Sequence, residues 1–120
     1  MTMIDRTIGL LPVAALAAFV GGQALPARAQ DVLAVAPEAY RKLVENPRIR
    51  VLHLDLKPGG KVGLHAHPEH LLYLLTDATL AIAQQGKTPY EMTFKAGEAL
   101  ILPAQIQSTE NTGDKSVRAL

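Results

Sequence analysis

The sequence predicts a single all-β domain, a β-sandwich or barrel, preceded by a short helix and an N-terminal export signal. From Arg48 onward, strand-length segments recur about every ten residues, each followed by a turn signal, which is typical of sandwiches and barrels. The 120 residues are enough for one domain. With 48% hydrophobic and 19% charged residues, the chain can bury a core.

The first thirty residues differ in composition from the rest. No charged residue lies between Arg6 and Arg28, Gly21-Gly22 interrupts the apolar run, and Ala27-Arg28-Ala29 fits the small-x-small pattern of a signal-peptide cleavage site. We therefore predict a cleaved signal peptide over residues 1–29 and a mature protein in the periplasm or secreted, with no stable membrane insertion. An uncleaved membrane anchor and a first globular helix remain alternatives, since the uncharged run is long enough to span a bilayer.

Composition excludes some classes of partner and site. The net charge is +1 and there is no basic run, so nucleic acid is not an expected partner. The chain has no cysteine, so a metal would have to be held by nitrogen and oxygen donors.

Residues 30–47 are predicted to hold an N-terminal strand and a short helix. The helix is placed over Pro37–Val44, because proline suits a first helical turn and Ala39, Tyr40, Leu43 and Val44 would form an apolar stripe. Asn46-Pro47 would end it. Residues 48–120 would then form the barrel.

The barrel strands follow from alternation and apolar runs. In Arg48–Leu56, the leucines Leu52, Leu54 and Leu56 fall on one face. The other predicted strands are Leu71–Leu75, Leu80–Gln84, Tyr90–Phe94, Ala99–Leu102 and Val117–Leu120, with turns at Pro58-Gly59-Gly60, Gln85-Gly86-Lys87, Ala96-Gly97-Glu98 and Thr112-Gly113-Asp114.

Three of the four histidines, His65, His67 and His70, lie within six positions. In a strand, His65 and His67 point to the same face, and the turn at Pro68 would let Glu69 or His70 swing toward the same point. Such donors suit Fe(II), Mn(II), Zn(II), Ni(II) or Cu(II). The competing interpretation is solvated loop histidines. His53, in an alternating strand, is interpreted as a packed or surface residue.

Two segments resemble the conserved motifs of the cupins, and the resemblance extends from about Val44 to Leu120. Pro58-Gly59, His65-x-His67 and the strand from Leu71 resemble the first motif. Gly97 to Gln105, with Glu110-Asn111 close behind, is similar to the second. The resemblance implies a jelly-roll β-barrel with a metal or ligand pocket inside, and a homodimer.

The resemblance also implies a set of site residues. His65 and His67 match the paired histidine ligands, the family glutamate falls on His70 with Glu69 adjacent, and the second-motif histidine falls on Gln107. A site of three histidines and a glutamine is neutral and rich in nitrogen, which suits Zn(II), Ni(II) or Cu(II). Fe(II) oxygenase chemistry would depend on Glu69.

Three functions follow from this resemblance. The first is an exported cupin that binds a divalent metal and acts on a small molecule as a dioxygenase or isomerase. The second is a binding module without catalysis, whose pocket would be lined by Leu72, Leu74, Leu100 and Leu102. The third is a degenerate cupin without metal.

The segment Val117–Leu120 looks short for a last barrel strand, which would leave a sheet edge exposed and favour dimerisation.

Overall fold

A computed structural model of the chain describes residues 31–120. The predicted signal peptide, residues 1–29, lies outside the described residues. Within residues 31–120, no helix is long or apolar enough to cross a membrane. This region consists of one short helix, α1 (Val32–Val35), and nine strands: β1 (Tyr40–Glu45), β2 (Arg50–Leu56), β3 (Lys61–His67), β4 (His70–Tyr73), β5 (Ala78–Gln84), β6 (Tyr90–Phe94), β7 (Ala99–Leu102), β8 (Gln105–Asn111) and β9 (Val117–Ala119).

The strands form a jelly roll of two facing antiparallel sheets. One sheet has the strand order β3-β8-β5-β6. The other is built from the three-stranded unit β9-β2-β1 and the pair β4-β7. The core lies between the sheets, where inward-facing side chains of both form one apolar cluster that includes Leu56, Val62, Leu74, Leu80 and Phe94. The sequence prediction of an all-β jelly roll is confirmed.

The segment after Ser116 joins the two units of the second sheet. On one side β9 pairs with β2, with Val117 opposite Leu56. On the other side, Leu120 and Tyr73 exchange two backbone hydrogen bonds of 2.8 Å, and Leu75 N–H donates to the Arg118 carbonyl. These bonds make a continuous sheet of order β1-β2-β9-β4-β7. The expectation of an exposed edge at the last strand is therefore wrong, because both edges of β9 are hydrogen-bonded.

The predicted helix over Pro37–Val44 is also wrong. Residues Tyr40–Glu45 form β1, which pairs with β2 so that Tyr40 lies opposite Leu54 and Glu45 opposite Arg50. An eight-residue helix is marginal in water, and a neighbouring strand with unpaired backbone groups offers a better set of hydrogen bonds. The order within residues 30–47 is thus helix then strand, the reverse of the prediction, and the barrel begins before residue 48.

The short helix α1 is held by the residue that precedes it, Asp31. The Asp31 carboxylate accepts a hydrogen bond of 2.9 Å from Leu33 N–H and so caps the helix. The same carboxylate pairs with the Arg50 guanidinium at 2.9 Å. Val32 is buried, and Val35 lies 3.6 Å from the place where a Cβ on Gly63 would stand. The helix therefore packs on β3, close to the predicted site.

Candidate functional site

A bulge in β3 directs the first histidine into the barrel. Val62 lies opposite Thr109, but the register shifts before His65, which lies opposite Gln107. The one extra residue of the bulge lets both Val62 and His65 face inward, an effect that bulges commonly have on side-chain direction. His65 is 0% exposed, the only histidine of residues 31–120 that is fully buried.

The tautomer of His65 is fixed by the bulge. Its Nδ1 lies 2.7 Å from the Gly63 carbonyl oxygen. Because a carbonyl only accepts, Nδ1 must carry the proton, and Nε2 is left with a lone pair. That Nε2 is buried and has no hydrogen-bond partner within residues 31–120. An oriented imidazole with an unpartnered Nε2 is the arrangement that metal-binding histidines show.

His70 repeats this arrangement at the start of β4. Its Nδ1 lies 2.7 Å from the Pro68 carbonyl oxygen, so Nδ1 carries a proton and Nε2 is the ring nitrogen left to contact a ligand. Pro68 ends β3, and the chain reverses into β4, which places His70 on the inward face with Leu72 and Leu74. The turn thus brings His70, rather than Glu69, toward the other histidines. Glu69 is exposed on the turn.

The three imidazoles lie side by side. The ring centroids of His65 and His67 are 4.7 Å apart and nearly perpendicular, and those of His67 and His70 are 4.5 Å apart with a tilt of 34°. Within residues 31–120, however, no three His, Cys, Asp or Glu side chains are arranged as a preformed metal site. The cluster is therefore a close group of donors that has not converged on one point.

Glutamine side chains share the inward face with these histidines. Gln107 is buried and directly opposite His65, and Gln105 is directly opposite His67. Gln84 on β5 donates a hydrogen bond of 3.0 Å to the Gln105 Oε1. Directly opposite residues of an antiparallel pair share a face, so these side chains surround one end of the barrel interior. Gln84 was not identified from the sequence, although its place at the end of an alternating strand could have indicated it.

The electrostatics keep two of the histidines neutral. Burial, reinforced by the neighbouring His65 and His70, lowers the pKa of His67 to about 3. Burial also lowers the pKa of His65, partly opposed by its hydrogen bond to Gly63. A neutral imidazole is the form that binds metal. At neutral pH both rings are therefore ready to act as ligands.

An ion pair flanks the cluster on the α1 side. Hydrogen bonding to Arg50 lowers the pKa of the Asp31 carboxyl, and both groups act electrostatically on His67, with opposite signs. Arg50 favours the neutral imidazole and Asp31 favours the charged one. The sequence analysis did not connect this pair with the site, because the pair forms only when α1 packs beside β3.

The remaining predicted positions are placed as follows. Leu72 and Leu100 are opposite each other in the β4–β7 pair, and His70 is opposite Leu102. Leu72, Leu74, Leu100 and Leu102 all belong to the inward face, where Leu74 is fully buried. His53 lies on the outer face of β2, away from the cluster, opposite Arg41.

The fold is shared with solved structures. No protein-family model and no curated relative matches the chain. A cupin domain from Bordetella pertussis is similar with a TM-score of 0.62 and 18% identity, over 67% of this chain and 84% of that one. A cupin superfamily protein from Desulfitobacterium hafniense is similar with a TM-score of 0.50 and 15% identity, over 67% and 72% of the two chains. Together with the two facing sheets and the inward histidines, these likenesses show that the chain has the cupin fold.

Proposed function

We propose that this protein binds a divalent metal ion inside the barrel, through Nε2 of His65 together with His67 and His70. The observation that supports the proposal best is the buried Nε2 of His65, which has no partner within residues 31–120. Leaving a buried acceptor unpaired costs roughly 1–3 kcal/mol, which a bound cation would recover. Since the rings have not converged, metal binding requires small rotations of His67 or His70.

The donor set favours particular metals. Three imidazoles, with the Gln107 carbonyl oxygen opposite His65, make a nitrogen-rich site without a carboxylate. Such a site suits Zn(II), Ni(II) or Cu(II) better than the harder Mn(II). Iron(II) sites usually include a carboxylate. Glu69 is the nearest candidate in sequence, but it is exposed, so iron would require the turn at Pro68 to rearrange.

The substrate proposed for this site is a small molecule that enters the barrel interior. A bound metal would act as a Lewis acid that polarises an oxygen of that molecule. The chain's own residues would orient it, with the amides of Gln84 and Gln105 as hydrogen-bonding groups and Leu72, Leu100 and Leu102 as the apolar wall. A dioxygenase or isomerase reaction is the activity we propose to test.

A metal-binding assay tests the proposal directly. The full chain is expressed, purified without chelator, and its bound metal is measured by elemental mass spectrometry. Isothermal titration with Zn(II) and Ni(II) then follows. We expect about one metal per chain, lost in His65→Ala. His53→Ala is the matched control, since it removes an imidazole on the outer face of the barrel and should leave the stoichiometry unchanged. Wild-type protein that takes up no Zn(II), Ni(II) or Cu(II) would contradict the proposal.

A second function is favoured by the unconverged rings and by Gln107. A metal-free cupin would use the same interior only to hold a small molecule. This alternative predicts that a ligand raises the melting temperature equally with and without chelator. Stabilisation that disappears in chelator would instead favour the metal site.

We further propose that the protein is exported. The support is the uncharged run before Arg28 and the small-x-small pattern that follows it. Intact-mass measurement of the protein made from the full gene in a bacterial host should show a chain beginning at Gln30 in the periplasmic fraction. An uncut chain in the membrane fraction would favour the anchor alternative.

A further inference from the structure

The hairpin formed by β1 and β2 carries exposed apolar side chains at its tip. Leu43, Val44 and Ile49 are 44%, 59% and 61% exposed. The register between the two strands shifts from Lys42 to Val44, so Leu43 lies in a bulge. Every residue from Arg41 to Ile49 is exposed. The tip therefore projects from the body of the barrel, with its aliphatic side chains in solvent.

Hydrogen bonds hold the tip in one backbone conformation. The Asn46 side-chain oxygen accepts hydrogen bonds of 2.8 and 2.9 Å from the N–H groups of Arg48 and Ile49. Asn46 N–H in turn donates to the Ile49 carbonyl at 2.9 Å, and the ring of Pro47 restricts the backbone between them. The apolar side chains are thus held in place before any partner binds, which lowers the entropy lost on binding.

Basic side chains lie among the apolar ones. Arg41, Lys42 and Arg48 fall within nine residues that hold one carboxylate, Glu45, which is paired with Lys42. Residues 31–120 as a whole carry ten basic and ten acidic residues. The hairpin is therefore positive, and the rest of the described chain is negative by the same amount. Such a separation of charge would turn this hairpin toward an anionic surface.

We propose that the tip of this hairpin docks the protein on a lipid bilayer that contains anionic headgroups. By the hairpin tip we mean the apolar and basic residues just described: Arg41, Lys42, Leu43, Val44, Arg48 and Ile49. The apolar side chains would enter the boundary between headgroups and acyl chains, and the basic ones would contact lipid phosphates. The proposed export is consistent with this, since it would bring the chain to a compartment bounded by membranes.

The small area of the tip favours a bilayer over a protein partner. Leu43, Val44 and Ile49 together expose on the order of 300 Å², well below the roughly 800 Å² that each partner contributes to a stable protein interface. A bilayer offers no fixed shape that the tip must match. Its affinity for a protein adds apolar burial to electrostatic attraction, and the tip supplies both.

Docking through the tip would also orient the candidate metal site. Glu45, at the end of β1, lies opposite Arg50. Arg50 pairs with Asp31 at 2.9 Å, and both act electrostatically on His67. The hairpin tip is therefore at the same end of the barrel as the histidines. A docked protein would turn that end toward the bilayer.

Binding to lipid vesicles tests the proposal. The protein is expressed from the full gene, and the wild type and each variant are compared in their naturally processed form, so any contribution of residues 1–29 is common to all. Vesicles of phosphatidylcholine with about 30% phosphatidylglycerol should carry the wild type upward in a flotation gradient. Vesicles of phosphatidylcholine alone should bind it at least about 5-fold more weakly. Added salt should weaken the binding, because it screens the basic groups.

Matched substitutions separate the tip from other exposed surfaces. Ile49→Thr should weaken binding to the anionic vesicles about 5-fold or more, because it removes apolar area. Ile101→Thr makes the same change at a side chain that is 67% exposed on β7, at the far edge of the same sheet, and should leave binding unchanged.

A second pair of variants tests the charge. Arg48→Glu should weaken binding about 10-fold or more, because it replaces an attraction by a repulsion. Lys57→Glu makes the same change of charge just beyond the other end of β2. That strand is seven residues long, roughly 23 Å, so Lys57 lies more than a Debye length from the tip and its variant should bind nearly as the wild type does.

A fluorescence measurement identifies the side chain that enters the bilayer. The chain has no tryptophan, so Ile49→Trp and Ile101→Trp each introduce a single indole. On addition of anionic vesicles, the emission of Ile49→Trp should shift to the blue and be quenched by brominated lipid, and that of Ile101→Trp should not change. Wild type that does not bind the anionic vesicles overturns the proposal, whether the tip then binds a second copy of the chain or another protein. Equal weakening by the two threonine variants, or equal quenching of the two tryptophan variants, overturns it as well.

Discussion

The neutral histidines of the barrel should make the metal-free protein sensitive to acid. His67 has a pKa of about 3 in the folded chain, against 6.5 for the ordinary side chain. Between these values the unfolded chain binds a proton that the folded chain excludes. The contribution of neutral His67 to the free energy of unfolding is therefore complete above pH 6.5 and is lost as the pH decreases toward 3. The lowered pKa of His65 acts in the same direction.

The size of the effect follows from the shift. The unfolded His67 becomes protonated below pH 6.5, and pH 4 lies about 2.5 pH units below that value. Each of these pH units lowers the free energy of unfolding by about 1.4 kcal/mol. The upper bound is thus about 3.5 kcal/mol. His67 is only half-buried, so solvent screening reduces the figure, and we expect about 2 kcal/mol. For a domain of this size, such a loss is a large fraction of the total stability.

Urea denaturation in the presence of chelator, at a series of pH values, measures this dependence. His67→Gln removes the titrating group, so its free energy of unfolding should fall between pH 7 and 4 by about 2 kcal/mol less than that of the wild type. His53→Gln should keep the full wild-type slope. A wild-type stability that does not change over this range, or equal slopes for the wild type and His67→Gln, would refute the reasoning.

Four other substitutions test the packing, the turns and the site. Leu74→Ala removes a 1%-exposed core side chain and should lower the free energy of unfolding by about 2–5 kcal/mol in urea, and an unchanged free energy of unfolding would contradict this. Asn111→Ala should cost about 2–4 kcal/mol, since its amide donates to the Leu56 and Lys115 carbonyls and its oxygen accepts from Gly113. Gly97→Ala should cost about 1–2 kcal/mol because Gly97 has φ +89°, and a wild-type melting temperature would contradict this. Gln107→His should tighten Zn(II) binding at least about 10-fold in titration calorimetry by adding an imidazole opposite His65, and unchanged affinity would place that side chain outside the site.

Patterns within one strand or one turn were sufficient to predict most of the fold. The alternation of Leu52, Leu54 and Leu56 identified β2, which pairs with β1, and its inward face, where Leu56 is buried and Leu54 packs against the core. Gly59 and Gly97 were placed in turns, and both have the positive φ that makes glycine the suitable residue there. These features depend on neighbouring residues alone, so they can be recognised in the sequence.

Features that depend on distant residues could not be predicted in this way. The segment Tyr40–Glu45 has an apolar spacing that fits a helix, and it becomes a strand because β2 offers it hydrogen bonds. The pairing of Leu120 with Tyr73 also joins residues that are distant in sequence. It gives hydrogen-bond partners to a strand edge that the sequence indicated would be exposed.

The candidate site was predicted in position but not in detail. The spacing of His65 and His67 placed two imidazoles on one face. The bulge at Gly63 that orients the first of them was not predicted, although a glycine inside a strand is a signal for a bulge. The neighbouring pair Asp31 and Arg50 is separated by eighteen residues, so only the folded chain brings it beside His67. The roles of the predicted ligands remain predictions.

The joining of two sheet units by one late segment also bears on how the chain folds. The β5–β6 hairpin can form from residues close in sequence, but the five-stranded sheet is completed only when Val117–Leu120 reaches both β2 and Tyr73. Pairings of such long sequence separation slow folding, because the entropy of loop closure is lost before the contacts are gained. During synthesis the nascent chain would therefore expose the edges of β2 and β4 until this segment leaves the ribosome. Binding by a chaperone in that interval would protect both edges from pairing with other chains.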